Sequence, residues 1–267
     1  MHIYLDTIQF ELTRRCNATC IHCCRGETQN IDLSEEVIDA FFDNNNIVFI
    51  GRLLLSGGEP TLAPNSFEYL VNKIIENKIY VSSFNFSING LIYDEKFINT
   101  LLKLNEYCFS LKKKRYQFTG TFWISADQFH TKPSQDIINK YEEIEFFIPY
   151  ENQKFDLKEN QILPVGRALE NNLSPHELDV SKITERGIKY QQLNHEGRDC
   201  LSIPYLYISS NGNVQNDYGS MYSYDLIDRY SFGNVMDMSL ETIILTQEKA
   251  AKLKVEYPLN TNYASDE

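Results

Sequence analysis

IQFELTRRCNATCIHCC, residues 8–24, joins a strand-like stretch to a loop that carries regularly spaced cysteines. Cys16, Cys20 and Cys23 are separated by three and then by two residues. Thiolates are soft ligands that hold iron–sulfur clusters, so three of them on one short loop suit a 4Fe–4S cluster. Four irons need four ligands, and this loop supplies three. The spacing therefore predicts a cluster with one iron open to a ligand that is not protein.

Zinc and disulfides are the alternatives for such a group of cysteines. Structural zinc usually takes its four ligands as two pairs, and the chain has no second Cys-xx-Cys pair. His22 lies between two of the cysteines and is poorly placed to complete a tetrahedron, while Cys24 is adjacent to Cys23 and is interpreted as a spare thiol. A disulfide framework suits small secreted domains, whereas this chain has 267 residues and no expected signal peptide. The cluster is the preferred interpretation.

A second motif follows one helix and one strand later. The aliphatic run Leu53-Leu54-Leu55 ends in Ser56-Gly57-Gly58-Glu59-Pro60. Glycines let backbone approach a ligand closely, and a carboxylate accepts charge-assisted hydrogen bonds from an ammonium group. Alone, a Gly-Gly turn is weak evidence for a site.

These two motifs in this order resemble the radical S-adenosylmethionine (radical SAM) superfamily. The resemblance implies that Cys16, Cys20 and Cys23 hold the 4Fe–4S cluster and that its open iron chelates S-adenosylmethionine. It implies one-electron cleavage of the sulfonium to a 5′-deoxyadenosyl radical, which abstracts a hydrogen atom from a substrate. A flavodoxin or ferredoxin would donate the electron. The Gly-Gly-Glu-Pro turn is implied to bind the amino group of S-adenosylmethionine.

Softer matches extend the implied cofactor site. Asn89 ends the third strand-like stretch, and Ser125 and Asp127 end the fourth, where relatives touch the ribose and carboxylate of the cofactor. A simple turn and a helix cap are the alternatives. His22 stands where relatives place an aromatic ring near the adenine. The expected cofactor-binding residues are His22, Ser56, Gly57, Gly58, Glu59, Pro60, Asn89, Ser125 and Asp127.

Two positively charged residues, Lys132 and Arg167, follow the fourth strand-like stretch. Relatives often use an arginine to hold the carboxylate of the cofactor, but Lys132 is the cation that follows the fourth strand here. Gly166-Arg167-Ala168 resembles a segment of peptide-modifying relatives, and the sequence assigns it no role.

Strand-like and helical stretches alternate over most of the chain, which predicts a parallel sheet with crossover helices. The resemblance implies an α/β fold at residues 1–190, a partial (β/α)6 TIM-like barrel with its site at the carboxyl ends of the strands. The expected strands lie near 8–12, 52–56, 80–86, 120–125, 144–148 and 161–163. The first expected helix is opened by a capping box at Asp32–Glu35 and runs through Phe42, and the others are Phe67–Asn77, Phe97–Leu104 and Ile137–Ile144.

The last third resembles the SPASM or twitch extension of peptide-modifying radical SAM enzymes. Residues 200–214 are expected to form a hairpin with a turn at Asn211-Gly212, and a helix is expected from Ser239 to about Lys254. Cys200 is the one cysteine there, and a single thiolate cannot hold a cluster. Residues 191–267 are therefore expected to form a small α+β extension without an auxiliary cluster. Cys200 is the expected catalytic hydrogen-atom donor, and a buried structural thiol is the alternative.

Composition limits the partners. The net charge of -12 and a pI near 4.9 argue against a nucleic-acid surface, although one basic run, Lys112–Arg115, is present. No apolar run reaches the ~20 residues that a membrane span needs. Six cysteines and no expected targeting segment favour a cytoplasmic location.

The expected function is that of a radical SAM enzyme acting on a ribosomally made peptide, because the last third resembles the extension used by such enzymes. The small leader-binding domain of some relatives is not expected. A small metabolite or nucleotide is the alternative substrate. An iron–sulfur or zinc-binding regulatory protein without catalysis is the alternative from another class.

Overall fold

A computed structural model of the chain describes residues 1–111, 120–177, 187–195 and 197–247. Its centre is a sheet of parallel strands in the order β4-β3-β2-β1. Helices connect these strands, as the predicted α/β fold requires, and that prediction is confirmed. The strands are β1 (His2–Thr13), β2 (Asn46–Gly57), β3 (Tyr80–Ile88) and β4 (Gly120–Ile124), and the helices are α1 (Glu35–Asp43), α2 (Pro64–Glu76), α3 (Glu95–Ser110) and α4 (Gln135–Glu142).

Helix α1 shows how local sequence sets these elements. Ser34 caps its first turn, because the Ser34 hydroxyl accepts a hydrogen bond from the Val37 N–H at 3.4 Å. Phe41 is buried on the inner face and meets the ring of Phe10 in β1 edge-on, with centroids 5.1 Å apart. The expected capping box is only partly right, since Asp32 instead binds the Arg15 guanidinium.

The predicted barrel at residues 1–190 has six strands, and the described residues of that range form four. At 144–148 the chain makes only a parallel bridge, in which Phe147 pairs with Phe122 of β4. Pro149 ends this contact, because proline has no N–H to continue a ladder. The strand expected at 161–163 is wrong: a short 3₁₀ helix, Glu159–Gln161, ends there.

The C-terminal strands enlarge the same sheet. β6 (Arg198–Ile203) and β7 (Leu206–Ile208) both pair in parallel with β1, on the side away from β2. β5 (Gln191–His195) pairs with β6, and β8 (Val214–Gln215) pairs with β7, both antiparallel. The hairpin at Asn211-Gly212 therefore joins β7 to β8, while residues 200–203 belong to the preceding hairpin.

Three short α-helices follow in the described residues: α5 (Gly166–Glu170), α6 (Tyr224–Arg229) and α7 (Leu240–Thr246). Short 3₁₀ helices also occur, at Pro60–Leu62, Tyr150–Gln153 and Asp217–Met221. Ser239 caps α7 as expected, but the helix ends at Thr246, earlier than the predicted end near Lys254, because the backbone of Gln247 leaves the helical conformation. The basic run 112–115 lies outside the described residues. None of the helices in the described ranges has the length and apolarity to cross a membrane. The boundary between residues 190 and 191 stays a prediction.

Candidate functional site

A cavity of about 330 Å³ opens at the carboxyl ends of β1, β2 and β3. This edge of a parallel sheet is where α/β proteins place their ligands, and the volume lies in the range of small-molecule sites. Its lining brings together, among others, the following residues that the sequence singled out: Cys16, Cys20, His22, Cys23, Cys24, Gly57, Gly58, Glu59, Asn89, Ser125 and Arg167.

The three cysteines of the loop are free and half-buried. The Cys23 N–H donates to the Cys20 carbonyl at 3.2 Å, and the Ala18 N–H points at the Cys16 sulfur at 3.4 Å. Burial, together with the neighbouring Cys23 and Cys16, raises the pKa of the Cys20 thiol to about 11. Burial also raises the pKa of the Cys16 thiol. The Cys16 and Cys20 thiols are thus protonated at neutral pH, and metal cations binding to them would release those protons.

The spacing of possible ligands distinguishes a cluster from a single zinc ion. Thiolates around one zinc, with Zn–S bonds of about 2.3 Å, lie roughly 3.8 Å apart. Among the described residues, His22, Asp127 and His130 form the set of metal-ligating side chains compact enough to share one ion, and the loop cysteines do not form such a set. Three thiols spread around one cavity fit a larger group such as a 4Fe–4S cluster.

The Gly-Gly turn holds the beginning of the cysteine loop. A Cβ on Gly57 would lie 2.1 Å from the Thr13 carbonyl oxygen, and one on Gly58 would lie 2.2 Å from the Arg15 carbonyl oxygen. Gly57 also has a φ of +140°, which side chains disfavour. The Gly58 N–H donates to the Thr13 carbonyl at 2.8 Å. The glycines therefore let β2 approach the backbone that carries Cys16.

Glu59 ties the same turn to the next strand. Its carboxylate accepts from the Thr61 hydroxyl at 2.6 Å and from the Asn89 N–H at 2.7 Å. The Asn89 amide in turn donates to Asn17 of the cysteine loop at 2.7 Å. Burial raises the pKa of the Glu59 carboxyl, although these hydrogen bonds act the other way. Glu59 lines the cavity as an acceptor whose position the protein itself fixes.

His22, Asp127 and His130 form one contact group beside the cavity. His130 Nδ1 lies 2.8 Å from one Asp127 oxygen, and His22 Nε2 lies 3.6 Å from the other. Burial acts to raise the pKa of Asp127, but hydrogen bonds from His130 and from the Phe129 N–H outweigh it and lower that pKa. Burial lowers the pKa of His22. The His22 ring stacks on Phe129 at 4.8 Å, so it does stand among aromatic rings.

A buried ionic network joins the cysteine loop to the C-terminal strands. Arg14 donates to Glu11 at 2.7 Å and makes two bonds of 2.7 Å to Asp228. Glu11 also accepts from the Tyr207 hydroxyl at 2.5 Å and from the Ser210 N–H at 3.1 Å. Residues about 200 positions apart are therefore held together directly behind the cavity.

Arg25 makes a second connection between the same parts of the chain. Its guanidinium is buried and donates to the carbonyls of Gly219 and Tyr222 at 2.8 and 2.9 Å. The Tyr224 N–H returns a bond to the Arg25 carbonyl at 3.3 Å. These bonds thus connect the C-terminal residues to the end of the cysteine loop.

Four expected site residues do not line the cavity. Ser56 and Pro60 flank the Gly-Gly turn, and Asp127 faces a neighbouring surface depression with His130 at its edge. Cys200 is 2% exposed and pairs with His2, at the opposite end of the 12-residue strand β1. At about 3.3 Å per residue this is roughly 35 Å from the cysteine loop. The structure does not bring Cys200 together with the other residues.

Sequence reasoning gave no role to several residues of the site. His130 was visible three residues after Asp127, but nothing in the spacing indicated that the two side chains bond. Arg14 and Arg25 lie close to the two ends of the cysteine segment, and their burial depends on partners that are distant in sequence. Two arginines beside a cysteine motif in an acidic chain were the available signal.

No family model matches the chain. A curated protein, the AdoMet-dependent heme synthase of Methanosarcina barkeri, is 39% identical over 66 residues, which span 23% of this chain and 18% of that protein. The match therefore spans less than a fifth of the relative's length. It supports the resemblance to the radical SAM superfamily.

Similar solved structures include Streptococcus suis SuiB bound to precursor peptide SuiA. That comparison has a TM-score of 0.42 and 11% identity, and covers 90% of this chain and 64% of SuiB. Histidine-tagged anSMEcpe with bound AdoMet gives a TM-score of 0.41 and 13% identity, covering 92% of this chain and 81% of that protein.

Proposed function

We propose that the chain is a radical SAM enzyme with one 4Fe–4S cluster held by Cys16, Cys20 and Cys23. One observation carries the proposal: three free thiols line a single cavity at the carboxyl edge of a parallel sheet, together with the Gly57-Gly58-Glu59 turn. The curated relative is AdoMet-dependent by its name, and its 39% identity over 66 residues supports the same cofactor here.

Different residues around the cavity would bind the cluster and S-adenosylmethionine. Cys16, Cys20 and Cys23 would hold the cluster through their thiolates and leave one iron for S-adenosylmethionine. When both groups are bound, they would supply the radical chemistry that abstracts a hydrogen atom from a substrate. Glu59 offers a fixed, buried carboxylate as acceptor for the amino group of the cofactor. Asn89 and Ser125 also line the cavity, which supports them as proposed contacts for the remaining polar groups of the cofactor.

We propose a ribosomally made peptide as the substrate class, with a flavodoxin or ferredoxin as electron donor. The support is the resemblance of residues 191–267 to the extension of peptide-modifying enzymes, whose strands here add to the barrel sheet beside β1. Ser56, Pro60, Asp127 and His22 stay proposed cofactor contacts. We do not carry Cys200 forward as the hydrogen-atom donor, because it lies far from the cavity.

The test is reductive cleavage of S-adenosylmethionine. Anaerobically reconstituted protein is mixed with S-adenosylmethionine and a low-potential reductant, and 5′-deoxyadenosine is quantified by mass spectrometry. The wild type is expected to form it, and the Cys16→Ala, Cys20→Ala, Cys23→Ala variant is not. A reconstituted wild type that binds iron yet forms no 5′-deoxyadenosine would indicate a regulatory iron–sulfur protein.

A further inference from the structure

The segment that begins at Gly166 lies directly on the cysteine loop. Gly166 has a φ of +57°, and a Cβ there would lie 2.5 Å from the Cys24 carbonyl oxygen and 2.7 Å from the Cys23 carbonyl oxygen. The Arg167 N–H donates to that Cys23 carbonyl at 2.9 Å. Backbone therefore packs on backbone here, and only glycine allows the approach.

This contact fixes where the Arg167 side chain can go. It lines the cavity with Cys16 and Cys23, and the side chain is only 11% exposed. Its Nε donates to Glu27 at 2.9 Å, but the Glu27 side chain is 76% exposed, so solvent screens that carboxylate. Arg167 therefore holds its positive charge in the same cavity as Cys16 and Cys23.

The other arginines at the cavity are differently engaged. Arg14 is neutralised by the carboxylates of Glu11 and Asp228. Arg25 is oriented by the carbonyls of Gly219 and Tyr222, on the C-terminal side of the loop. Among the described residues that line the cavity, Arg167 thus combines a shielded side chain with a counter-ion that solvent partly screens.

We propose that Arg167 is a positioning residue that raises the reduction potential of the cluster. This rests on the proposed function. The donor delivers one electron, no bond forms or breaks in this step, and the cluster with its thiolates becomes more negative by one charge. A nearby cation stabilises the more negative state more strongly, and a charge shielded from solvent does so more effectively. Arg167 therefore favours the reduced cluster, and Glu27 partly opposes it.

The test is a spectroelectrochemical titration of reconstituted holoprotein, with the potential read from the visible absorbance and normalised to iron content. Arg167→Gln keeps the backbone bond to Cys23 and removes the charge. We expect it to lower the equilibrium constant for reduction about tenfold, a shift of about 59 mV to lower potential. Arg167→Lys keeps the charge and should stay close to wild type. Glu27→Gln removes the counter-ion and should shift the potential upward.

Lys103→Gln is the matched control, because Lys103 is an exposed cation on α3 away from the cavity. It should not move the potential. A merely structural Arg167 would lower the iron content but leave the potential of the remaining holoprotein unchanged, and that result overturns the proposal. If Arg167→Gln takes up no cluster, an unchanged potential in Glu27→Gln overturns it instead. A wild type without a cluster refutes the proposed function itself, before any variant is compared.

Discussion

Replacing Arg14 should strongly destabilise the fold. Its side chain is fully buried and bonds Glu11, which is also fully buried, and Asp228, which is 38% exposed. Arg14→Met removes these bonds and a further one of 3.0 Å to Gln29. Removing one partner of a buried ion pair typically costs about 3–5 kcal/mol, because the other charge stays buried without compensation.

The magnitude follows from the neighbours that remain. Glu11 keeps its hydrogen bonds from Tyr207 and Ser210, so its buried charge is still partly compensated. Water reaches Asp228 and screens it. Both effects reduce the loss of folding free energy, and we expect a destabilisation of about 3 kcal/mol for Arg14→Met. The double variant with Glu11→Gln should recover part of the lost stability, because the uncompensated charge of Glu11 is then removed.

The assay is urea unfolding of the cluster-free protein under anaerobic, reducing conditions, followed by circular dichroism. The adjacent arginine supplies the control: Arg15 pairs with Asp32, and both side chains are more than a third exposed. Arg15→Met should therefore cost only about 0.5–1 kcal/mol. If Arg14→Met costs no more than Arg15→Met, the network does not hold the C-terminal strands to the loop.

The same network predicts a pH dependence. Burial acts to raise the pKa of Asp228, but the bonds from Arg14 outweigh it and hold that pKa below its ordinary value. The stability that the charged Asp228 adds is fully present above the pKa of about 3.9 that its carboxyl has in the unfolded chain. This stability is lost as pH falls through the lower pKa of Asp228 in the folded protein. Unfolding free energies measured from pH 6 to pH 3 should fall less steeply in Arg14→Met than in wild type.

Three further predictions concern the site and its surroundings. Gly58→Ala places a Cβ 2.2 Å from the Arg15 carbonyl oxygen, so the backbone of the cysteine loop must move. The variant should therefore take up less than half the iron of wild type on reconstitution, and full uptake would mean that the loop tolerates this movement. Glu59→Gln should weaken S-adenosylmethionine binding by about 1–3 kcal/mol by calorimetry, and unchanged binding would make the turn purely structural. Cys200→Ala should form 5′-deoxyadenosine at the wild-type rate and lose only about 1 kcal/mol of folding stability. Impaired cleavage of S-adenosylmethionine in this variant would contradict the placement of Cys200 far from the cavity.

Features carried by neighbouring residues could be predicted from the sequence. The cysteine spacing and the Gly-Gly-Glu turn are local, and each follows a strand, so their meeting at one edge of the sheet follows from parallel pairing. The direction of the strands is also predictable, because crossover helices separate them. This local information is enough to place the cavity at the carboxyl edge of the sheet.

Features set by distant pairing could not be predicted. The register of β6 places Cys200 opposite His2, and nothing in residues 198–203 says which end of β1 they will meet. The bond between Arg14 and Asp228 joins residues 214 positions apart. Gly166-Arg167 was visible as a motif, but its contact with Cys23 depends on how the chain returns after β4.

The central claim is that Cys16, Cys20 and Cys23 hold a 4Fe–4S cluster with an open iron. The direct measurement is iron and sulfide content after anaerobic reconstitution, with the electron paramagnetic resonance spectrum of the reduced protein recorded before and after adding S-adenosylmethionine. We predict about four irons and four sulfides per chain, their loss in the triple alanine variant, and a spectrum that changes with S-adenosylmethionine. One tightly bound zinc per chain, or iron retained by the triple variant, would contradict the account.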